Sequence, residues 1–254
     1  MILTSQFVYT KTHSVRFCAT FLCCFFSISG WSTTLDSLFR FPLPQRMEII
    51  TAQYHKIWEA DSIRGKIWAK ELSELYDKKG TETDKLAFEV SLLLPIDNSI
   101  GLKQKDYLPK VLLLLHESER QKNRLLMAKL NELLGFYFYN FVHDYVAAFR
   151  HYSKSYYLVI DADEATYPGR SYTIYRLSRV NYDFFDYQNS IRLGKILMEE
   201  KETELTPPHI FTACVLGMAY LKLKKYSEAS RYFTWGLERL PVKNLQNEAW
   251  PGIL

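Results

Sequence analysis

The stretch IFTACVLGMAYLKLKKYSEASRYFTWGLERLPVK, residues 210–243, decides the fold class. Leu216-Gly217 is followed by Tyr220, then Tyr226, Ala229, Phe233 and Pro241, and Ala213 stands three residues before Leu216. The apolar positions recur at helical spacing, so the stretch predicts two helices joined by the polar turn Lys224-Lys225, with Tyr226 opening the second. Gly217 and Ala229 are small where the two helices must approach closely. Tyr220 and Phe233 are bulky and fill the space beside that contact. Pro241 ends the second helix, because proline lacks the amide donor and clashes with the preceding turn.

A 34-residue pattern of the form W-x2-L-G-x2-Y…A-x3-F…P is matched at every position except the Trp, where this chain has Ala213. On those residues the segment resembles the tetratricopeptide repeat (TPR) family. A plain helical hairpin inside a bundle is the alternative, and six spaced identities weigh against it. The resemblance implies an all-α fold, a right-handed superhelical solenoid of antiparallel helix pairs, and a binding role on the concave face formed by the first helix of each pair.

Working upstream, the helical stretch Gln121 to Phe141 carries Leu134-Gly135 and Phe138, and the helix after it carries Tyr145, Ala148 and Tyr152. These are spaced like the elements of 210–243, with a turn one residue longer. A further unit aligns on Tyr187, with Leu177, Ser178 and Asn181 before it and Ser190, Gly194 and Leu197 after it. Tyr187 to Tyr226 is one repeat plus a five-residue insertion around Thr206-Pro207-Pro208. Five hairpins are expected in all: 45–78, 82–118, 122–160, 169–201 and 207–240. The first two, within 45–120, lack diagnostic spacing and read as degenerate repeats or an N-terminal cap; 121–243 reads as TPR-like repeats. Residues 244–254, ending Trp250-Pro251-Gly252-Ile253-Leu254, read as the start of a further, truncated repeat, and hence the chain as a fragment of something longer.

The N-terminus has another character. Lys11, His13 and Arg16 precede an apolar run from Phe17 to Ile28, small residues follow at Ser29, Gly30 and Ser32, and no acidic residue occurs before Asp36. This is the layout of a signal peptide over 1–32, cut near Ser29 to Ser32. An uncleaved anchor or a buried N-terminal helix are the alternatives. Residues 33–44, with Phe41-Pro42-Leu43-Pro44, read as a linker. Three cysteines, Cys18, Cys23 and Cys24, lie in the apolar run, so the mature chain keeps only Cys214 and has no internal disulfide.

Hydrophobic residues make up 48% of the chain, ample for a folded core. The net charge is +4; the leader holds two of those charges and no acid, which leaves +2 without a basic stripe, so nucleic-acid binding is not expected. No catalytic constellation, cofactor motif or metal-ligand spacing is recognisable. Asp161, Asp163 and Glu164 faintly suggest a calcium loop, but Thr166 stands where that loop needs glycine. His143-Asp144 reads as a capping pair.

Mapping the first-helix face gives the candidate groove: Phe136, Tyr139, Tyr172, Tyr175, Arg176, Arg179, Tyr182 and Lys222, with Phe211 and Met218 assigned to packing. Tyrosine and arginine are common in binding hot spots because they join large area to a polar handle. Arg176 and Arg179 are expected to engage an acidic or carboxylate-bearing peptide; packing between repeats is the alternative for these side chains. The only acids placed on this face are Glu132 and Asp183, far apart in the stack, so a helical-array enzyme, which needs paired carboxylates, is the less favoured alternative. Leader and repeats together resemble the N-terminal sensor region of bacterial membrane-bound regulators. That resemblance implies an exported, periplasmic, non-catalytic binder of protein or peptide, joined to the membrane only by an uncleaved leader or a segment beyond Leu254. A free-standing periplasmic scaffold for envelope assembly or nutrient uptake is the alternative.

Overall fold

The 3.6-residue spacing is realised as helix throughout. The computed structural model describes residues 35–94, 106–199 and 207–239, and no strand occurs among them. The chain divides into two compact units, Met1–Arg40 and Phe41–Leu254. The first contributes a short 3-10 helix, Asp36–Arg40. Among the described residues the second contributes ten α-helices: α1 Leu43–Ala60, α2 Ser62–Lys79, α3 Glu82–Leu93, α4 Tyr107–Arg120, α5 Arg124–Tyr137, α6 Tyr145–Val159, α7 Arg170–Asp183, α8 Tyr187–Glu199, α9 Pro207–Lys222 and α10 Tyr226–Arg239. The leader, Pro241 and the segment 244–254 lie outside the described residues. Helix α1 starts inside the stretch expected as linker, because proline is tolerated in the first turn, where its missing N–H has no partner to lose.

Local chemistry punctuates the helices. Asp61 caps α2 by accepting from the Ile63 and Arg64 amides at 2.9 and 3.2 Å. Thr81 and Asp84 form a reciprocal capping box at α3. Asn123 accepts from the Leu126 amide at 3.1 Å and Asp144 from the Ala147 amide at 2.9 Å, so Asp144 is indeed a cap. Each such cap contributes about 1 kcal/mol.

One turn type recurs. Lys122, Phe185 and Lys224 all adopt left-handed backbone (φ 53°, 63° and 58°). In each case the following amide bonds a carbonyl five residues back: Asn123 to Ser118, Asp186 to Asn181 and Lys225 to Tyr220. This is the Schellman closure, which satisfies the last carbonyls of a helix. The turn after α5 is the variant. A π-helical turn, Phe138–Val142, takes up one extra residue, His143 has φ 58°, and the Asp144 amide reaches back six residues to Phe138. The longer turn expected at this unit is thus absorbed by widening the helix.

Neighbouring helices pack on one another along the chain, and α7 also packs on α9 and α1 on α3. The core is accordingly serial. One cluster joins α1, α3, α4 and α5 through Met47, Val90, Val111, Leu126 and Leu134. The next joins α6, α7 and α8 through Tyr152, Tyr156, Ile174, Leu177 and Leu197. A third joins α8, α9 and α10 through Ile191, Leu216, Ala219, Tyr220 and Ala229. Phe136 and Phe138 touch both of the first two clusters. The architecture is all-helical and repeat-like, each core shared by consecutive elements.

The hairpin signature is visible atom by atom. A Cβ on Gly217 would sit 2.5 Å from Phe233, and one on Gly135 would sit 2.6 Å from Tyr152. Ala213, Leu216 and Ala229 are buried, and Tyr220 stacks on Tyr232 at 5.6 Å. Tyr226 stands largely exposed where it opens α10. Between α5 and α6, Asn131 gives its amide to the Met127 carbonyl at 2.8 Å and its oxygen accepts from His151 Nδ1 at 2.9 Å. The imidazole stacks on Phe138 at 5.5 Å. Burial, aided by the positive charges of Lys154 and Arg150, pulls its pKa down to about 4.

Two predictions follow from this packing. Tyr152 is only 2% exposed and cannot yield, whereas Phe233 is half-buried. Overpacking costs about 1–3 kcal/mol, more than the roughly 1 kcal/mol that alanine gains over glycine in a helix. Gly135→Ala should therefore destabilise by about 2 kcal/mol in urea unfolding. Gly217→Ala should cost less, and Tyr152→Leu should recover part of the Gly135→Ala loss. A Gly135→Ala variant as stable as the parent would mean the helices stand further apart than described. For His151, the folded-state value lies below the ordinary 6.5, so the unfolded chain binds the extra proton between the two. Stability present above pH 6.5 is lost as pH falls from 6.5 towards 4. His151→Gln should remove about 2 kcal/mol of the difference in unfolding free energy between about pH 7 and pH 4.5.

Candidate functional site

Helix α5 carries two charges on its buried face, Lys129 and Glu132, each less than a tenth exposed. A buried charge must find partners, and these do. The Lys129 ammonium lies 3.3 Å from Glu48 Oε1 of α1, donates to the Pro168 carbonyl, and sits 4.7 Å from the centre of the Tyr167 ring. Glu132 accepts from the Tyr167 hydroxyl at 3.2 Å, from the Thr173 hydroxyl at 3.4 Å, and from the Arg176 guanidinium. Burial, and then the Glu132 charge, push the Tyr167 hydroxyl well above its ordinary pKa.

Arg176 lies over two aromatic rings, 5.5 Å from the centre of Phe136 and 5.6 Å from that of Tyr172. Burial is the largest single influence and works against its charge, but Glu132 together with Tyr152, Tyr175 and Tyr167 outweighs it and the guanidinium pKa is raised. The loop before α7 is tied down as well. Glu164 accepts from the Gly169 amide at 2.5 Å and from the Ser171 amide and hydroxyl at 3.1 and 3.0 Å, so a carboxylate of this chain covers the start of α7.

These residues surround a cleft of about 380 Å³. Its walls are Glu48 and Thr51 of α1, the α5 face from Lys129 to Phe136, Ser171, Tyr172 and Arg176 of α7, the 164–169 loop, Leu94 after α3 and Pro208 of α9. Numbering the helices in pairs, α1, α3, α5, α7 and α9 are the first members, and no lining residue comes from a second member.

A smaller cavity of about 290 Å³ is lined by Tyr139, Tyr145, Val180, Asp183 and Phe184. Asp183 holds it together: the Tyr139 hydroxyl donates to Oδ2 at 2.5 Å and Arg179 Nε donates to the same oxygen at 3.2 Å. Burial and the Asp183 hydrogen bond raise the Tyr139 hydroxyl pKa.

Of the residues mapped from sequence, Phe136, Tyr172 and Arg176 therefore meet in the larger cleft, and Tyr139 lines the smaller one with Arg179 paired beside it. Tyr175 packs on Phe211 at 5.4 Å and Tyr182 on Tyr187 at 5.6 Å. Met218 is half-buried on α9, and Lys222 is exposed at its end, outside both cavities. Both arginines already hold an acid of this chain, Glu132 and Asp183, so any carboxylate ligand must use their remaining donors. Lys129, Glu48 and Glu164 were not found from sequence. The signal for Lys129 was available: it and Glu132 interrupt the apolar face of α5 beside Leu130, Leu133 and Leu134. Among the described residues no group of three or more His, Cys, Asp or Glu is placed to hold a metal ion, no helix is long and apolar enough to cross a membrane, and Cys214 is a free thiol whose pKa is raised by burial.

Removing one partner of a buried ion pair strands the other charge. Glu132→Ala should cost about 3 kcal/mol in urea unfolding, towards the low end for buried pairs because the Arg176 side chain is 29% exposed. Arg176→Ala strands the more deeply buried Glu132 and should cost at least as much, and the double variant should fall short of the sum of the two by at least about 1 kcal/mol. Strict additivity would rule the pairing out. No family model matches this chain, and neither a curated protein nor a solved structure does.

Proposed function

We propose that this chain is an exported, non-catalytic binding scaffold, a TPR-like solenoid that takes up a peptide or protein segment along the face formed by the first helix of each pair. The observation that carries this reading is the composition of the larger cleft: its helical walls come from first-member helices alone. A second support is chemical. The cleft offers aromatic faces and rigidly held polar groups, the combination that recurs where a few residues supply most of the binding energy. Export is supported by the basic, then apolar, then small-residue order of the leader.

The test is selection of binders from a random displayed-peptide library with the intact chain, followed by amide hydrogen exchange with and without a selected peptide. Protection is expected on α1, α5 and α7. Tyr172→Ala should weaken the selected peptide by about tenfold, the loss typical of a moderate hot spot. Protection confined to α2, α4, α6, α8 and α10 would sink the proposal.

A further inference from the structure

The polar groups of the larger cleft are nearly all spoken for within the chain, and two exceptions define what it can still hold. Arg176 gives Nη1 to Glu132, and no described acid contacts its Nε or Nη2. The guanidinium is paired with Glu132 and lies against the Phe136 and Tyr172 rings, so little of its rotamer freedom remains to be lost on binding. Glu48, on a different helix, uses Oε1 against Lys129, and no described residue donates to Oε2; its side chain is 47% exposed. The cleft thus presents a fixed donor from α7 and an available acceptor from α1, with Leu133 and the two aromatic rings in the same lining.

Charge balance narrows the ligand class. Lys129 is matched by Glu48, Arg176 by Glu132, and Glu164 by the amides that open α7. Both line the same cleft, so a simple anion on Arg176 leaves the free oxygen of Glu48 unmatched, and a simple cation on Glu48 leaves the remaining Arg176 donors unmatched. A molecule with both charges satisfies each group. The volume of about 380 Å³ lies near the lower end of the range of roughly 300–1,000 Å³ used for small-molecule sites. We infer that the cleft is a site for a small zwitterion of the amino-acid class, its carboxylate on Arg176, its ammonium on Glu48 and its apolar side chain against Phe136 and Tyr172. This rests on reading the first-helix face as the binding face; a free amino acid, or the end residue of a short peptide, supplies the same chemistry.

The experiment is calorimetric titration of the folded full chain with the standard free L-amino acids and with their glycyl dipeptides, then with the N-acetyl and C-amide forms of each one that binds. At least one apolar or aromatic amino acid should bind with Kd between about 1 μM and 1 mM, and either cap should weaken it by about tenfold or more. Glu48→Gln keeps the shape of the side chain and should abolish the penalty for acetylation while leaving that for amidation. Arg176→Lys keeps a charge beside Glu132 and should reduce the penalty for amidation. Binding of the dipeptide in place of the free amino acid assigns the site to a peptide end and supports the inference. Absence of any binder, equal binding of capped and uncapped forms, or undiminished amine selectivity in Glu48→Gln overturns it. Peptide capture on the first helices without any zwitterion bound sinks this inference alone, whereas a bound amino acid without peptide capture sinks the scaffold reading.

Discussion

The carboxylate of Glu132 is the constraint on which the site depends. A charge buried that deeply is tolerated only if it is paired and hydrogen-bonded, and three donors come to it: Tyr167 from the loop, and Thr173 and Arg176 from α7. Those donors fix where the loop and α7 stand relative to α5. The consequence is spatial. Helices α7 and α9 pack directly, whereas α5 and α7 come together chiefly through side chains. Side-chain bridges of this length hold the two helices while leaving room between them, and that room is the cleft.

The fold was more legible than the site because it is written in periodic apolar residues. Small-against-large pairs such as Gly217 with Phe233 and Gly135 with Tyr152 are local in sequence, and one residue of the pair implies the other at helical spacing. The weaker unit at 169–201 shows the limit of that reading. Gly194 stands where the other units carry an aromatic, and the structure gives the reason: a Cβ there would lie 2.8 Å from Leu216. Its small size serves the approach of α9, not the closure of its own hairpin. A pattern that assigns each position to one interface cannot register a residue recruited by the next. The α5–α6 turn is a similar case, since a one-residue excess is readable as length but not as a π-helical turn.

The site was only partly legible because its decisive contacts join residues far apart in the chain. Phe136, Tyr172 and Arg176 were recognisable as an aromatic and basic face. Nothing in their spacing reveals that Arg176 is already paired with Glu132, 44 residues away, or that Lys129 meets Glu48, 81 residues away. The acids Asp161, Asp163 and Glu164 stand exposed, but nothing in their spacing reveals that Tyr167 is buried with Ala128 and Val159, or that Glu164 also accepts from the amides that open α7.

The pairing of the arginines changes what they can do. An arginine that is free in the unliganded protein binds an anion by ordering a flexible side chain, and part of the interaction is lost to that ordering. Arg176 is ordered beforehand by one carboxylate and two rings, so a ligand would meet donors whose positions are already set. The same carboxylate weakens the net field, which makes long-range attraction of acidic chains small and leaves selectivity to short-range geometry. Arg179 differs in degree: its Nε partner, Asp183, is also shared with Tyr139, and its side chain is more exposed at 37%. Of the two arginines, the one deeper in the network is therefore the better-prepared contact, although from sequence alone they are equivalent members of one helix face.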